Sequence, residues 1–146
     1  MNYIPGACWN PDGVADREAP MAEPSLGIIV RKPGELPADR SLGPYHLEPL
    51  VRRDEEGALT AWHVRLDPGA VTPVSYHLVA EEAYFVLAGS GTAWLDGKAH
   101  HLEPGVFLRL PPGTRHSFSA GLEGLTLLDI HAPGCWPDRD THFERR

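Results

Sequence analysis

The sequence is short of basic residues and of long apolar runs, and each shortage argues against a class of protein. Its 146 residues hold 13 Lys and Arg against 20 Asp and Glu, which gives a net charge of −7. Nucleic-acid phosphates need a basic surface, so we expect no nucleic-acid partner. No apolar run approaches the roughly 18 residues that cross a membrane, so we expect no membrane insertion.

Cysteine is equally scarce. Cys8 and Cys135 are the two cysteines, near opposite ends of the chain, and no Cys-x-x-Cys pair exists. This spacing argues against a structural thiolate zinc site. Two reduced thiols are the simpler interpretation, and a disulfide between the chain ends stays open as the alternative. The first residues lack the basic start and apolar stretch of a secretory signal, so we expect a cytoplasmic protein.

Glycine and proline, by contrast, are abundant, with 15 of each. No segment keeps a long apolar period of 3.6 residues, so the chain is typical of an all-β protein with short strands and many turns. The length fits one domain. We expect an irregular N-terminal arm over residues 1–25, a β-barrel domain over 26–134 and a charged, peripheral C-terminal tail over 135–146.

Short β-rich segments between turn signals predict the strands. Asp96-Gly97 is a strong signal for a two-residue hairpin, and the 54–57 turn predicts a second, longer one. His100 and His101 follow the first hairpin turn, and we expect both to face solvent. The predicted strands are Leu26–Arg31, Leu47–Arg53, Ala58–Leu66, Thr92–Leu95, Lys98–Leu102 and Leu125–His131.

Two stretches concentrate the residues that carry chemistry. In the first, residues 69–89, alternation puts Ser75 and His77 on one face of a strand and Glu82 and Tyr84 on one face of the next. In the second, residues 105–118, a strand and a Pro-Gly turn lead to His116. Imidazole and carboxylate are common ligands of divalent transition metals. His77, Glu82 and His116 are therefore candidate metal ligands, which offer two nitrogens and one oxygen.

These stretches resemble the two sequence motifs of the cupin superfamily. Both blocks keep the family spacing, with Ser75 in place of the first motif histidine and Ala120 in place of a variable asparagine. The matching positions are Gly69, His77, Glu82, Gly89, Gly105, Pro111, Gly113 and His116. The resemblance implies a jelly-roll barrel (a double-stranded β-helix), one metal ion at its centre and a homodimer.

Ser75 leaves two interpretations of this site. A two-histidine, one-carboxylate set with open positions suits oxygen activation or Lewis-acid catalysis by Fe²⁺, Zn²⁺, Mn²⁺ or Ni²⁺. Alternatively, a barrel that has lost one ligand has lost its metal and serves as a plain binding cavity. In that case Glu82 pairs with His77 or His116.

Around the predicted metal site we expect a substrate pocket. Strand alternation adds Tyr84 and Phe118 as walls, and Trp62 enters if the apolar face of its strand turns inward. That orientation leaves His63 outside the barrel, whereas the reverse would bring His63 into the cavity. Arg109 is a candidate for holding a substrate carboxylate, and Ser75 lies beside the ligands.

The function that follows is a metal-dependent enzyme acting on a small organic molecule. The resemblance allows a dioxygenase, an isomerase, a lyase or a cyclase, with Glu82 as ligand or general base and Tyr84 as hydrogen-bond or proton donor. Two alternatives are a non-catalytic protein that binds a small ligand, and a metal-free epimerase or isomerase that uses a histidine and Tyr84. Metal content separates the first function from these two.

Overall fold

A computed structural model describes residues 26–145, which form a curled sheet of eight strands and one short 3₁₀ helix. The strands are β1 (Tyr45–Pro49), β2 (Thr60–Leu66), β3 (Ser75–Tyr76), β4 (Glu81–Leu95), β5 (Lys98–Leu102), β6 (Phe107–Leu110), β7 (His116–Ala132) and β8 (His142–Phe143), and the 3₁₀ helix spans Arg53–Glu55. The sheet closes into the expected all-β jelly-roll barrel.

Two long strands, β4 and β7, form the spine of the barrel. They pair antiparallel from Glu81 opposite Ala132 to Leu95 opposite His116. The first half of β4 also pairs with β6 and its second half with β5. Likewise β3 pairs with the first half of β7 and β2 with its second half. Each long strand therefore pairs with a different short strand along each of its two halves.

Glycines allow the spine to bend. The register between β4 and β7 shifts at Gly89, where the backbone has φ 79°. A Cβ atom on Gly89 would lie 2.1 Å from the carbonyl oxygen of Gly124, which itself has φ 77°. Only glycine has low strain at this φ and no side-chain atom at this contact. The two backbones meet here because Gly89 carries no Cβ atom.

Inward-facing side chains of the spine and of β2 fill the barrel. Alternate residues of β2 are buried, and β4 shows the same alternation over its first half. Phe118, Leu66, Leu125 and Leu127 are at most 1% exposed, so the core sits between the two halves of β7 and the strands that cover them. Period-2 alternation of this kind is what a half-buried antiparallel sheet requires.

Several strand predictions are confirmed. The predicted strand over 58–66 is β2, with its apolar face inward and His63 only partly buried on the other face. Asp96 and Gly97 both have positive φ, as a type I′ hairpin turn requires, and they join β4 to β5. The histidines after that turn are exposed. The predicted last strand, 125–131, is the second half of β7.

Two strand predictions near the start are wrong. Residues 26–31 form no strand, and Ile28 and Val30 are 95% and 93% exposed. Their β-rich composition is not enough, because no neighbouring strand in the described chain offers hydrogen bonds to this segment. The segment 47–53 is a strand only up to Pro49, after which the 3₁₀ helix interrupts it. The hairpin between β1 and β2 is nevertheless present.

The C-terminal tail is not peripheral, contrary to the expectation from its charge. Cys135 and Trp136 are buried, and the Trp136 ring packs edge-on against Trp62 at 4.8 Å between centroids. The last strand, β8, pairs with β3. Apolar contacts and strand pairing decide the position of this segment, and most of its charged side chains, Asp138 and Arg139 among them, lie on the outside.

Asp140 fastens the tail to the loop between β3 and β4. Its carboxylate accepts hydrogen bonds from the backbone N–H groups of Leu78, Val79 and Ala80 at 2.8–3.1 Å. Burial would raise the pKa of Asp140, but these three donors outweigh it and lower the pKa below its usual value. The charged form of Asp140 is therefore stabilised by folding.

The N-terminal arm, residues 1–25, lies outside the described residues, and so does Cys8. The homodimer and the division into arm, barrel and tail remain predictions. Within residues 26–145, no helix has the length and apolar character needed to cross a membrane.

We predict that Gly89→Ala destabilises the fold much more than Gly97→Ala. The two glycines have nearly the same φ, 79° and 80°, but a Cβ atom meets nothing within 4 Å at Gly97. Backbone strain costs about 1–3 kcal/mol at either position, and only Gly89→Ala adds the clash with Gly124. Chemical denaturation measures the free energy of unfolding. Equal losses in the two variants would show that the close approach of β4 and β7 is not real.

We also predict that Asp140→Asn lowers stability at neutral pH by about 1 kcal/mol, the typical cost of a lost side-chain cap. Asparagine tolerates the positive φ of this position, 61°. Because folding lowers the pKa of Asp140, its charge stabilises above the unfolded value of about 3.9. That contribution is lost as the pH falls through the folded pKa.

Thermal melts between about pH 6 and pH 3 test this, since the unfolded pKa of Asp lies near 3.9. The difference between wild type and Asp140→Asn should shrink as the solution becomes acidic. Glu123→Gln, which alters an exposed carboxylate on the β7 bend, is the matched control. A gap for Asp140→Asn that stays constant with pH would contradict the role of the charge.

Candidate metal centre

The barrel encloses one cavity that combines an apolar wall with a cluster of titratable groups. Its empty volume is about 470 Å³, part of it open to solvent. Aromatic and aliphatic side chains form the wall, and the polar groups lie together at one end. The lining residues include Leu42, Tyr45, Leu47, Trp62, Trp136 and Phe143 in the wall, and Ser75, His77, Glu82, Tyr84, His116, Asp129, His131 and Cys135 in the polar group.

His77 belongs to the first motif stretch and His116 to the second, and both side chains line the cavity. His77 follows β3 directly, and His116 begins β7, where it pairs with Ser75. The Nδ1 atom of His77 lies 2.7 Å from the carbonyl oxygen of Asp140, and that of His116 lies 3.0 Å from the carbonyl oxygen of Thr114. A carbonyl only accepts, so each ring donates its Nδ1–H, and in the neutral ring Nε2 carries the lone pair.

Both rings direct their Nε2 atoms at the carboxylate of Glu82. One carboxylate oxygen, Oε2, lies 3.2 Å from Nε2 of His77 and 3.3 Å from Nε2 of His116. The side chain is 2% exposed, and neither oxygen has a hydrogen-bond partner among residues 26–145. A neutral imidazole would point its lone pair at a carboxylate oxygen, which is repulsive. A cation between the groups, either a proton or a metal ion, removes the conflict.

Two further cavity residues escaped the sequence analysis, His131 and Asp129. Nε2 of His131 lies 2.9 Å from the other Glu82 oxygen, Oε1, and 3.3 Å from Nε2 of His77. In the β4–β7 register His131 is opposite Glu82, and Asp129 is opposite Tyr84. A signal was present in the sequence: both residues share the inward parity of Leu125 and Leu127, where a polar side chain is unusual.

The electrostatics of the cluster follow from burial and from Glu82. Burial would raise the pKa of Glu82, but His116 and His131 outweigh it and hold the pKa well below its ordinary value. Burial, reinforced by the charge of Glu82, raises the pKa of Asp129 well above its ordinary value. These shifts favour the ionised form of Glu82 and the neutral form of Asp129.

The two motif histidines respond in opposite directions. Burial lowers the pKa of His116, so its ring is neutral and its Nε2 lone pair is available to a metal ion. Burial also disfavours the charged form of His77, but contacts with the Cys135 sulfur and the Glu82 carboxylate raise its pKa to about 11. The proton on His77 thus neutralises Glu82 until another cation takes its place.

These residues fit a divalent metal ion. Donor atoms that share an ion at about 2.1 Å lie about 3.0–3.4 Å from one another, depending on the coordination angle. The distances from Glu82 Oε2 to His77 and His116 fall in that range. Metal-binding histidines also donate their second N–H to a backbone carbonyl or a carboxylate, as both rings do here. The buried Glu82 oxygens, which have no hydrogen-bond partner among residues 26–145, suit a bound cation.

The remaining predicted site residues divide into three groups. Trp62, Ser75 and Tyr84 line the cavity, and the Ser75 hydroxyl lies 3.2 Å from Nε2 of His116. Phe118 is fully buried behind the cavity, against Tyr84, and does not line it. Arg109 is a correction: it projects from the outer face of β6, 62% exposed, and pairs with Glu81 at 2.6 Å. It cannot hold a substrate in the cavity.

Cys135 shows why the tail matters to the site. Its sulfur is buried 3.3 Å from Nδ1 of His77 and 3.1 Å from the carbonyl oxygen of Arg139. The same turn presents the Asp140 carbonyl that fixes the tautomer of His77. The C-terminal segment therefore orients one of the three histidines in the cavity.

Comparison with known proteins agrees with the fold of this barrel. The family model described as the cupin domain matches residues 62–131. Quercetin 2,3-dioxygenase of Bacillus subtilis is 34% identical over 59 residues, which are 40% of this chain and 18% of that enzyme. The chain therefore matches less than a fifth of that relative's length.

Solved structures share the barrel. KdgF from Halomonas sp. superposes with a TM-score of 0.58 at 22% identity, over 66% of this chain and 86% of that one. A putative sugar phosphate isomerase from Acidithiobacillus ferrooxidans gives 0.53 at 29% identity, over 60% of this chain and 58% of that one. With both motif stretches, the jelly-roll barrel and the family match in agreement, residues 62–131 form a cupin domain.

Proposed function

We propose that the protein is a metal-dependent cupin enzyme that acts on a small, uncharged organic molecule. One observation carries the metal: two imidazoles, each anchored at Nδ1 by a backbone carbonyl, present Nε2 to the same buried oxygen of Glu82. A divalent ion bound there, Fe²⁺, Zn²⁺, Mn²⁺ or Ni²⁺, supplies Lewis acidity or oxygen activation. His77, Glu82 and His116 hold it.

The residues of the chain supply orientation and a dry environment. Glu82 acts as a ligand and not as a general base, because imidazole rings crowd both of its oxygens. Burial raises the pKa of Tyr84 well above its ordinary value, so its hydroxyl keeps its proton and can donate a hydrogen bond to a substrate oxygen. The aromatic wall excludes water from the same space.

The wall also selects the substrate class. Among the described residues that line the cavity, none is Lys or Arg. A phosphate or carboxylate group would therefore lack a cationic side chain to balance its charge. Trp62, Trp136 and Phe143 instead offer flat apolar surfaces. These features favour a neutral, ring-containing molecule with oxygen atoms that can approach the metal, as in the quercetin named for the Bacillus subtilis relative.

One prediction of the proposed function concerns metal content. Protein purified without chelator and without nickel resin should carry close to one divalent ion per chain, and His77→Ala/His116→Ala should carry none, since the double variant removes two of three donors. Elemental analysis of the dialysed proteins measures this. His100→Ala/His101→Ala, which removes two exposed histidines, is the matched control and should keep the ion.

A wild-type protein that takes up no metal on titration would contradict the proposal and favour a plain binding cavity or metal-free catalysis. Where metal is present, its identity selects the assay. Iron directs the work to oxygen uptake, and zinc or manganese directs it to isomerisation or cyclisation.

Another prediction of the proposed function concerns substrate charge. Quercetin should quench the fluorescence of Trp62 and Trp136 and bind at least about tenfold more tightly than a hexose phosphate, a difference of about 1.4 kcal/mol. Trp62→Phe should weaken the quenching, and Trp94→Phe, which alters a half-exposed residue on β4, should leave affinity unchanged. A hexose phosphate that binds as tightly as quercetin would rule out the selection against charge.

A further inference from the structure

We infer that His131 is a fourth metal ligand, which replaces the imidazole that Ser75 no longer supplies, and that Asp129 is the hydrogen-bond acceptor that orients it. This inference rests on the proposed metal site and adds two residues outside both motif stretches. It makes the donor set three imidazoles and one carboxylate, assembled from β7 twice, from β4 and from the residue after β3.

The first argument is distance. Nε2 of His131 lies 3.3 Å from Nε2 of His77 and 2.9 Å from Oε1 of Glu82. Donors around one ion at about 2.1 Å are separated by about 3.0–3.4 Å, so both separations are close to those of neighbouring ligands. Ser75, in the motif position, reaches only His116.

The second argument is the outer face of the ring. His77 and His116 each direct Nδ1 to a backbone carbonyl, which fixes Nε2 as the metal-binding atom. Among residues 26–145, Nδ1 of His131 has no hydrogen-bond partner and neither has Oδ1 of Asp129, although the two atoms are buried only 3.8 Å apart. Two unpartnered polar atoms facing each other in the interior are costly.

One change relieves both atoms. If Nε2 of His131 binds the ion, its proton belongs on Nδ1, which then donates to Oδ1 of Asp129 once the atoms approach by less than 1 Å. A carboxyl oxygen accepts this bond whether or not the other oxygen carries a proton. The result is a carboxylate–histidine–metal arrangement, the usual support of a metal-bound histidine. All three histidines then bind the ion through Nε2 and donate Nδ1–H to an oxygen atom of the protein.

Cobalt(II) tests the inference on the unmodified protein. Each coordinated ring that keeps its Nδ1–H gives one strongly shifted, solvent-exchangeable proton signal in the NMR spectrum of the Co²⁺-loaded protein. We expect three such signals. Two signals with a full equivalent of Co²⁺ bound would overturn the role of His131 and leave the proposed function intact. No Co²⁺ uptake at all would overturn both.

Variants provide the second measurement. Loss of a residue that only supports a ligand costs about 10–100-fold in metal affinity, so His131→Gln should weaken Co²⁺ binding by more than that and remove one shifted signal. Asp129→Asn should weaken binding within that range and move the His131 signal alone. Ser75→Ala and His63→Gln, which alter a neighbouring hydroxyl and a histidine outside the cavity, should change affinity less than threefold.

An unchanged Co²⁺ affinity and spectrum in a folded His131→Gln protein would overturn the inference. Circular dichroism of the metal-free variants establishes folding. If His131→Gln does not fold, the signal count in the wild-type protein decides the question by itself.

Discussion

The carboxylate of Glu82 is the constraint around which the barrel is organised. It is ionised and 2% exposed, and an unpaired buried carboxylate costs several kcal/mol even after the protein relaxes. Three imidazoles, from β7, from the residue after β3 and from the far end of β7, lie within 3.3 Å of its two oxygens. Positive charge must therefore reside in this cluster, as a proton on His77 or as a bound ion.

That requirement explains why distant parts of the chain are tied together. The rings deliver Nε2 to Glu82 only if their other nitrogens are held, and the acceptors come from separate segments. Thr114 belongs to the turn before β7, whereas Asp140 belongs to the C-terminal segment. Trp136 anchors that segment against Trp62 and also forms part of the cavity wall. The contacts that hold the tail in place are thus also contacts that set the geometry of the site.

The sequence was informative where a short spacing or an alternation decides the outcome. The resemblance to the two cupin motifs was enough to predict that His77, Glu82 and His116 meet, and alternation favoured the inward position that Trp62 has. Sequence reasoning failed where contacts with other parts of the chain decide the structure. Residues 26–31 have strand composition but no strand beside them in the described chain. Alternation places Arg109 on the same face as Phe107, and only the structure shows that this face is exposed. The buried tail depends on contacts that no local pattern encodes.

Ser75 shows why a lost motif residue is weak evidence for a lost metal. Inward positions of a barrel alternate on every strand, so a donor at one height can come from any strand that passes there. In the site proposed above His131 is such a donor, because the β4–β7 register sets it opposite Glu82. The exchange also changes the shape of the site. The bulk of an imidazole moves to the side of His77, and the small hydroxyl of Ser75 stays beside His116. Space next to His116 is thereby left for a substrate oxygen, at the edge of the apolar wall that holds the rest of the molecule.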